Sequence, residues 1–586
     1  MTPMSKFITA CVMSLTIGGE LAANAATLPQ LPKKQVDVTM PTVTGNTYSV
    51  TSCGTLQSTL NTAAAADLTK THAVDILASL SCTGTYNLPA RAGATGWVLV
   101  RSASYASLPA EGTRVTTSDV SNMPTFTANA STGSFAAATN ANHYRLIGLY
   151  IVPNAATTEV LIDMGDGKAG TGYIIIDRCV LLDTGTSHST ARAIFGDARL
   201  GYTALIDSYC DGMKWSGRDT QCWLSLTNIG PILIRNNFLQ AAGMAMMIGG
   251  GAYLNQSVDQ TYLPKDITVQ RNTMTKNASW GLGGWQMKTL FELKYGIRVL
   301  VEGNIFENMT YDQGQDQSYA FRLTHRNEIT NPSYVEISDL TIRYNTVRNV
   351  PGWLNMDGSD DGDVYPGTFP TSGSYSNHGK RWSIHDNLVY GLNNGGNGRL
   401  MAISLGGGLT KCYDYAGTTC MLEDFSFFHN TVDNVESVAL CAMGIGQINL
   451  DWRDNLISTN AASGSYNCNT GNDYATVFLN KYWSGPTWTN TWNWTNNTMS
   501  ALSDVIANYP QGTNSYPASA TTIQWKNRAT RDYTLQAGSP AKNSASDGTD
   551  RGVNWTAFNT AQAGGSGGAD LTPPAVPQNV QVIITK

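Results

Sequence analysis

The sequence has few charges, and after its first 25 residues it has no long apolar run. Only 14% of its 586 residues are charged, and the formal net charge is −6. A chain without an excess of positive charge gives no electrostatic reason to expect nucleic acid as a partner. A membrane span needs ~20 consecutive apolar residues. The later sequence does not offer such a run, so we expect no membrane span.

Cysteine is scarce, and its spacing does not suggest zinc because no C-x-x-C pair occurs among the ten cysteines. The nine cysteines that follow residue 25 fit an oxidising compartment. Proximity favours four pairs, although sequence alone cannot fix connectivity. The pairs are Cys53/Cys82, Cys210/Cys222, Cys412/Cys420 and Cys441/Cys468, with Cys179 left over.

The start of the chain is typical of an export signal. Lys6 precedes an apolar run from Phe7 to Gly18, and Ala23-Asn-Ala25 offers small residues for cleavage. Residues 1–25 are therefore predicted to be a signal peptide. We expect the mature protein to be secreted, periplasmic or at the cell surface.

Strand and turn formers are abundant, and they recur in a repeat. Low charge with many Gly, Asn, Ser and Thr residues favours an all-β protein. Short apolar strands recur at 174–180, 205–209, 232–239, 267–274, 299–306, 340–347, 382–389, 425–432 and 448–457. Most of these segments contain an Asn near their end, at positions 237, 272, 304, 345, 387, 430 and 455. These Asn residues are 25 to 43 residues apart. Such spacing is typical of coils of one cross-section that carry loops of variable length.

The repeated Asn suits a tight corner between strands. Asn tolerates the left-handed backbone conformation, and its amide can bond to the Asn one coil above. We therefore expect a stacked Asn ladder along the repeat.

Both ends of the repeat differ from its middle. Leu and Ala at helical spacing over residues 56–68 predict a helix that caps the first coil. Residues 564–568 are typical of a flexible linker, and 572–582 resemble the opening strand of a fibronectin type III module. The predicted divisions are a cap with the first coils (26–170), the β-helix body with its closing segment (171–560), and a linker with the truncated module (561–586).

The repeat resembles that of right-handed parallel β-helix proteins of the pectate-lyase-like superfamily. Segments 110–114, 143–149, 290–294, 301–307 and 325–327 are similar to those of large secreted bacterial β-helix proteins. The resemblance covers roughly residues 50 to 555 and implies a single elongated all-β solenoid. It departs at Met244, where such proteins are expected to have Glu. The superfamily's chemistry implies an extracellular polysaccharide as the partner.

Three alternating segments, 289–294, 319–324 and 352–357, stand out within the repeat. If their apolar residues face the core, their outer faces carry the polar residues Glu292, Lys294, Arg322, Thr324, Asn355 and Asp357. Coils lie about 4.8 Å apart, so these residues are expected to be neighbours in an outward column. A plain alternative is a surface ladder of opposite charges that keeps the strands in register.

Lyase chemistry on a uronic-acid polymer needs a positive group or metal at the carboxylate and a base beside it. Arg322, Arg326 or Ca²⁺ could fill the first role. Lys294, Lys288 or His325 could fill the second. We therefore predict a polysaccharide lyase that cleaves an acidic glycan by β-elimination and acts as a monomer.

Further residues near the column could bind sugar or metal. Trp280, Trp285, Tyr311 and Trp353 offer flat faces for sugar rings, and Asn355 offers an amide on the outer face. The acidic loop formed by Asp357, Asp360, Asp361 and Asp363 has the hard oxygen ligands that suit Ca²⁺. A solvated acidic turn would look the same in sequence.

Two other functions remain open at this point. A glycoside hydrolase needs two carboxylates, about 6.5–9.5 Å apart when it inverts configuration, and Glu292 with Asp357 is the available pair. A non-catalytic glycan-binding or adhesin protein would need neither. His385 and His429, which stand just before the corner Asn, are interpreted as structural.

Overall fold

The structure of the chain, a computed structural model, describes residues 26–563 with gaps. The gaps are 155–156, 166–167, 198, 251–262, 282–283, 311–318, 326–334, 359–378, 393–397, 405–421, 443–447, 461–465, 468–478, 480–491 and 503–505. The predicted signal peptide and the fibronectin-like segment lie outside this range. So do Cys412, Cys420 and Cys468.

The described strands form three long parallel sheets and one short hairpin. Sheet A contains β1 (Thr47–Val50), β2 (His72–Ile76), β5 (Val98–Ser102), β8 (Asn142–Ile147), β11 (Gly172–Asp177), β14 (Thr203–Ile206), β17 (Ile232–Arg235), β20 (Lys265–Gln270), β23 (Gly296–Glu302), β26 (Ile337–Arg343), β29 (Gly379–His385), β32 (Leu422–Phe428), β35 (Ile448–Arg453) and β38 (Trp492–Thr495).

Sheet B follows sheet A in every coil. It contains β3 (Ser81–Thr83), β6 (Thr125–Thr127), β9 (Tyr150–Val152), β12 (Val180–Leu182), β15 (Tyr209–Met213), β18 (Phe238–Ala241), β21 (Thr273–Thr275), β24 (Ile305–Glu307), β27 (Thr346–Val350), β30 (Leu388–Leu392), β33 (Thr431–Val435), β36 (Leu456–Thr459) and β39 (Thr498–Ser500).

Sheet C closes each coil. It contains β4 (Tyr86–Leu88), β7 (Phe135–Ala137), β10 (Thr157–Asp163), β13 (Ser189–Phe195), β16 (Gln221–Ser225), β19 (Met244–Ile248), β22 (Phe291–Leu293), β25 (Phe321–Leu323), β28 (Gly352–Asp357), β31 (Arg399–Ser404), β34 (Ser437–Ala442) and β37 (Tyr466–Asn467).

From β2 to β39 each strand pairs in parallel with the strand three places away in the chain, as β20 does with β23 and β23 with β26, and β1 precedes them by pairing with β2. Three consecutive strands therefore make one coil, and the coils stack into a parallel β-helix. Inward side chains from all three sheets meet in one continuous apolar core. The predicted solenoid fold is confirmed.

Helix α1 (Cys53–Ala65) caps the first coil. Its Leu56, Leu60 and Ala63 are fully buried and join the core, as the helical spacing predicted. The helix starts and ends three residues earlier than expected. The Cys53–Cys82 disulfide ties it to β3, Cys210–Cys222 joins β15 to β16, and Cys179 is free and buried. Both disulfides match pairs favoured by proximity, and Cys179 is the cysteine expected to be left over.

The predicted Asn ladder is present at the corner between sheets A and B. Asn304 donates from Nδ2 to Asn345 Oδ1 at 3.0 Å, and its own Oδ1 accepts the Asn272 backbone N–H at 2.9 Å. The left-handed residue, however, is the one before each ladder Asn, with φ of 55° at Arg271, for example. The Asn is selected for its amide and not for its backbone conformation.

Two terminal segments lie along the outside of the helix. Residues 26–46, the N-terminal strap, run over sheet A, where the Lys33 N–H donates to Asp266 Oδ1 at 2.8 Å. At the other end come 3₁₀ helices at Ile506–Asn508, Ala520–Ile523 and Arg528–Thr530, the hairpin β40 (Trp525–Asn527) and β41 (Asp532–Leu535), and helix α2 (Trp555–Ala563).

Residues 544–563, the C-terminal strap, run back along the A–B corner. The Gly552 N–H donates to the Asp454 carbonyl, the Asn554 N–H to Asp386 Oδ1, and Gln562 Nε2 to the Tyr344 carbonyl. This segment therefore reaches coils far from the last one. Within the described residues, no helix is both long and apolar enough to cross a bilayer.

Candidate functional site

The predicted outward column exists on sheet C. Glu292 of β22 is in register with Arg322 of β25, which is in register with Asn355 of β28. The apolar residues that flank them are fully buried in the core: Phe291, Leu293, Phe321, Leu323, Leu354 and Met356. The alternation that motivated the column is therefore confirmed. Glu292, Arg322 and Asn355 are called the sheet C column below.

Glu292 and Lys294 form an ion pair at the start of the column. The Lys294 Nζ atom lies 3.7 Å from Glu292 Oε1, and the two side chains are 14% and 5% exposed. An ion pair with so little access to water is costly to break, because the partner that remains is left charged and buried. The pair is therefore more than a solvated surface contact.

Arg322 lies directly next to this pair, and its guanidinium differs from the pair in its hydrogen bonding. The side chain is half-buried, and its Nε atom is buried without a hydrogen-bond partner. Among the described residues, the Arg322 guanidinium makes neither a hydrogen bond nor an ion pair. Buried polar groups are normally satisfied, so an unpartnered guanidinium on an outer strand face is ready to accept an anionic ligand.

The predicted hydrolase pair, Glu292 and Asp357, is offset along the strand direction. Asp357 follows Asn355 by two residues on β28 and is in register with Ser404, not with the column. With coils about 4.8 Å apart and about 3.3 Å per residue along a strand, the Cα atoms of Glu292 and Asp357 are about 12 Å apart. The register thus puts Asn355, and not Asp357, in line with Glu292.

His325 is not available as a surface base. It is fully buried, its Nδ1 lies 3.0 Å from the Asp357 carbonyl oxygen, and its ring stacks on Trp382 at 5.9 Å between centroids. The structure therefore assigns His325 to packing beneath the column.

Lys288 belongs to a different cluster. Its Nζ lies 2.7 Å from Asp219 Oδ1, and Gln286 donates to the same oxygen at 2.7 Å. Nearby, Lys214 Nζ lies 5.5 Å from the centre of the half-buried Trp285 ring. Sequence reasoning missed Asp219, because nothing in the spacing links it to residue 288.

Two of the predicted sugar-stacking residues are inaccessible. Trp353 is fully buried in the core against Phe321 and Phe427. Trp280 is 7% exposed and packs with Ala242. Alternation fails at the start of β28, because the consecutive residues 353 and 354 both face inward at the turn into the strand.

Five of the predicted site residues cannot be placed. Arg326, Tyr311, Asp360, Asp361 and Asp363 lie outside the described residues. Within the described part of the chain, no group of three His, Cys, Asp or Glu side chains is arranged to hold a metal. The calcium site stays a prediction, with Asp357 its one described member.

Two features of this face were not foreseen. Phe195, Leu224 and Met247 continue the same column on the preceding coils, so it is apolar before it becomes charged at Glu292. Tyr319, just before β25, is hydrogen-bonded to Arg399, and burial raises the pKa of its phenol. The alternation pattern assigned only Arg322 and Thr324 to the outer face and so passed over Tyr319.

No protein-family model matches the chain, and no curated protein is significantly similar to it. Among solved structures, a mutant of the PL6 family alginate lyase AlyGC is 12% identical with a TM-score of 0.43, covering 87% of this chain and 58% of AlyGC. The PL6 family polysaccharide lyase Pedsa3628 from Pseudopedobacter saltans is 11% identical with a TM-score of 0.36, covering 80% of this chain and 92% of the lyase.

The Dettilon tailspike protein is 10% identical with a TM-score of 0.36, covering 80% of this chain and 65% of the tailspike. The chain thus spans little more than half the length of AlyGC. These likenesses concern the fold alone.

Proposed function

We propose that the protein is a polysaccharide lyase that cleaves an acidic glycan by β-elimination at the sheet C column. The observation that carries the proposal is the guanidinium of Arg322, which has no partner among the described residues and lies beside the buried Glu292–Lys294 pair. A planar guanidinium can bind a uronate carboxylate through two parallel hydrogen bonds. The proposal rests on this arrangement and not on the likeness of fold.

The roles follow from which groups can reach a substrate. Arg322 neutralises the uronate carboxylate, which acidifies the proton on the adjacent carbon. Lys294, in its neutral form, takes that proton and becomes the ammonium that pairs with Glu292, because it borders Arg322, whereas His325 is buried and Lys288 lies with Asp219 in a separate cluster. The C–H electron pair forms the carbon–carbon double bond, and the glycosidic oxygen leaves with its bonding electrons and takes a proton from solvent water. Glu292 positions the Lys294 side chain.

Asn355 is the next residue of the column and offers its amide to sugar hydroxyls. Calcium would supply a second positive charge at the uronate if the loop that follows Asp357 binds it. Asp357 is the kind of hard oxygen donor that calcium prefers.

We further propose that the protein acts outside the cytoplasm. The Cys53–Cys82 and Cys210–Cys222 disulfides support this, because such bonds persist in oxidising compartments. A charged polymer outside the cell is then the natural substrate class.

The test is incubation of the full chain with a panel of uronate polymers while ultraviolet absorbance is followed. The proposal predicts an absorbance rise from the unsaturated sugar product on at least one polymer. New reducing ends without absorbance would instead indicate hydrolysis. Retention on a glycan column with neither signal would indicate a binding protein.

A further inference from the structure

A cavity of about 580 Å³ lies at the A–B corner, at the vertex of the coil cross-section that faces away from sheet C. Its floor is formed by the corner residues of four successive coils: Asp207, Asn236, Arg271 and Gly303. Its walls come from three distant segments: the N-terminal strap at Val38 and Thr39, the loop that carries Glu111 and Arg114, and the end of helix α2 at Gln562 and Ala563.

Three arginines line this cavity. Arg114 crosses from its loop to the coils, where Nε donates to the Asn236 carbonyl at 3.0 Å and a terminal nitrogen donates to the Arg271 carbonyl at 3.2 Å. These acceptors are neutral, so the charge of Arg114 is not compensated by them. Arg235 and Arg271 come from the end of β17 and from the corner after β20.

The guanidinium groups of Arg235 and Arg271 have no hydrogen-bond or ion-pair partner among the described residues. Burial lowers the pKa of both, and the charge of Arg235 lowers that of Arg271 further. Burial also lowers the pKa of Arg114 to about 10. Like charges crowded into a partly buried space are unfavourable unless an anion joins them.

One buried carboxylate, Asp207, lies near the three arginines and offsets only part of their charge. The buried Asp207 carboxylate accepts the Gly112 N–H at 2.7 Å on one oxygen and Asn236 Nδ2 at 2.7 Å on the other. Glu111 is exposed, so its charge is screened by water. Two guanidiniums, those of Arg235 and Arg271, therefore face the cavity with donors that the described residues do not use.

We propose that this cavity is a second ligand site, which binds an oxyanion carried by a sugar-sized molecule. Arg235 and Arg271 would donate paired hydrogen bonds to a carboxylate, phosphate or sulfate group. The volume falls within the range of small-molecule sites, about 300–1,000 Å³, and exceeds that of a bare ion. The site is separate from the sheet C column and does not depend on the function proposed for that column.

The experiment is isothermal titration calorimetry of the full chain at constant ionic strength, with glucuronate, inorganic phosphate and neutral glucose as probes. We expect saturable binding of glucuronate or phosphate and none of glucose. Tighter glucuronate binding would point to a sugar acid, and tighter phosphate binding to a phosphate group. No saturable binding of either anion would overturn the proposal.

Substitutions of the cavity arginines test where the anion binds. Arg235→Gln with Arg271→Gln should weaken anion binding by at least about tenfold, because two charge-assisted donor pairs are lost. Arg218→Gln, at a partly exposed ion pair with Glu159 away from the cavity, should leave it unchanged. Equal affinity in the double variant, or lost affinity in Arg218→Gln, would contradict the assignment.

A third variant avoids any question of folding. Glu111 is exposed, and Glu111→Gln removes a negative charge at the mouth without removing a buried contact. Anion affinity should rise by about two- to fivefold. A fall in affinity would contradict a site that selects anions.

Discussion

The Asn ladder and the sheet C column both stack one residue per coil, yet they differ in how their polar groups are used. Every ladder amide is buried and bonded to the next coil, as Asn304 is to Asn345. Along the column the chemistry changes at each step, from Met247 to Glu292, Arg322 and Asn355. Repetition with full satisfaction marks a structural element, whereas a break in repetition with an unsatisfied charge marks a candidate site.

The largest effect on stability is expected in the ladder. Asn304→Ala removes the acceptor of the Asn272 N–H and the donor to the Val269 carbonyl. Several buried groups lose their partners, so the free energy of unfolding should fall by about 3–5 kcal/mol. Urea denaturation followed by circular dichroism measures this.

Asn61→Ala is the matched control, because Asn61 is exposed on α1. It should change stability by less than about 0.5 kcal/mol. Equal stability of the two variants would show that the ladder contributes no more than a surface amide.

The second-largest effect on stability is expected at the Glu292–Lys294 ion pair. Lys294→Ala leaves Glu292 charged, with only 5% of its side chain exposed, and should cost about 3 kcal/mol. The pattern alone predicts a stable Lys294→Ala variant, and the burial of Glu292 corrects that expectation. Glu292→Gln combined with Lys294→Met should recover most of the loss in thermal melting, because no orphaned carboxylate remains.

Recovery would confirm that the cost comes from the orphaned carboxylate. A double variant as unstable as Lys294→Ala would instead point to packing of the Lys294 stem. Neither variant should turn over substrate if Lys294 is the base.

A smaller, pH-dependent effect is expected where the C-terminal strap meets the ladder corner. Burial would lower the pKa of His429, but the hydrogen bond to Asp547 and the charges of Asp386 and Asp454 raise it to about 9. Its ordinary value is 6.5, so this contribution is complete below that pH and is lost as the pH rises towards 9.

Wild type should therefore lose about 1–2 kcal/mol of stability between pH 6.5 and 9 relative to His429→Gln. Melting temperatures of both proteins across this range measure the difference. Parallel curves would mean that His429 is neutral and that its contact with Asp547 contributes little.

The fold could be predicted because each repeated element is encoded by a few consecutive residues. Each strand alternates over a few residues and each ladder Asn follows its own strand, so neither inference needed long-range information. The same local rule placed Glu292, Arg322 and Asn355 correctly but failed for Trp353. There the chain turns into the strand, and two consecutive residues face inward.

Other features could not be predicted because their parts are distant in sequence. The Lys288–Asp219 contact spans two coils with an intervening loop. The arginine cavity joins residues 38, 114, 235, 271 and 562. No spacing rule connects such positions, since the two straps could lie on any face of the solenoid.

Substitution of Arg322 should have the smallest effect on stability and the largest effect on activity. Because this guanidinium has no partner among the described residues, Arg322→Gln should change the free energy of unfolding by less than about 0.5 kcal/mol. Arg298→Gln is the control, since Arg298 pairs with Asp266 at 2.6 Å on sheet A, away from the column. It should lose some stability and keep its activity.

The most direct test of the central claim is to measure melting temperature and turnover of Arg322→Gln together, on whichever uronate polymer gives an absorbance rise with wild type. We predict an unchanged melting temperature and loss of turnover. A lowered melting temperature with turnover retained would show that Arg322 belongs to a structural charge ladder and that the column is not the active site.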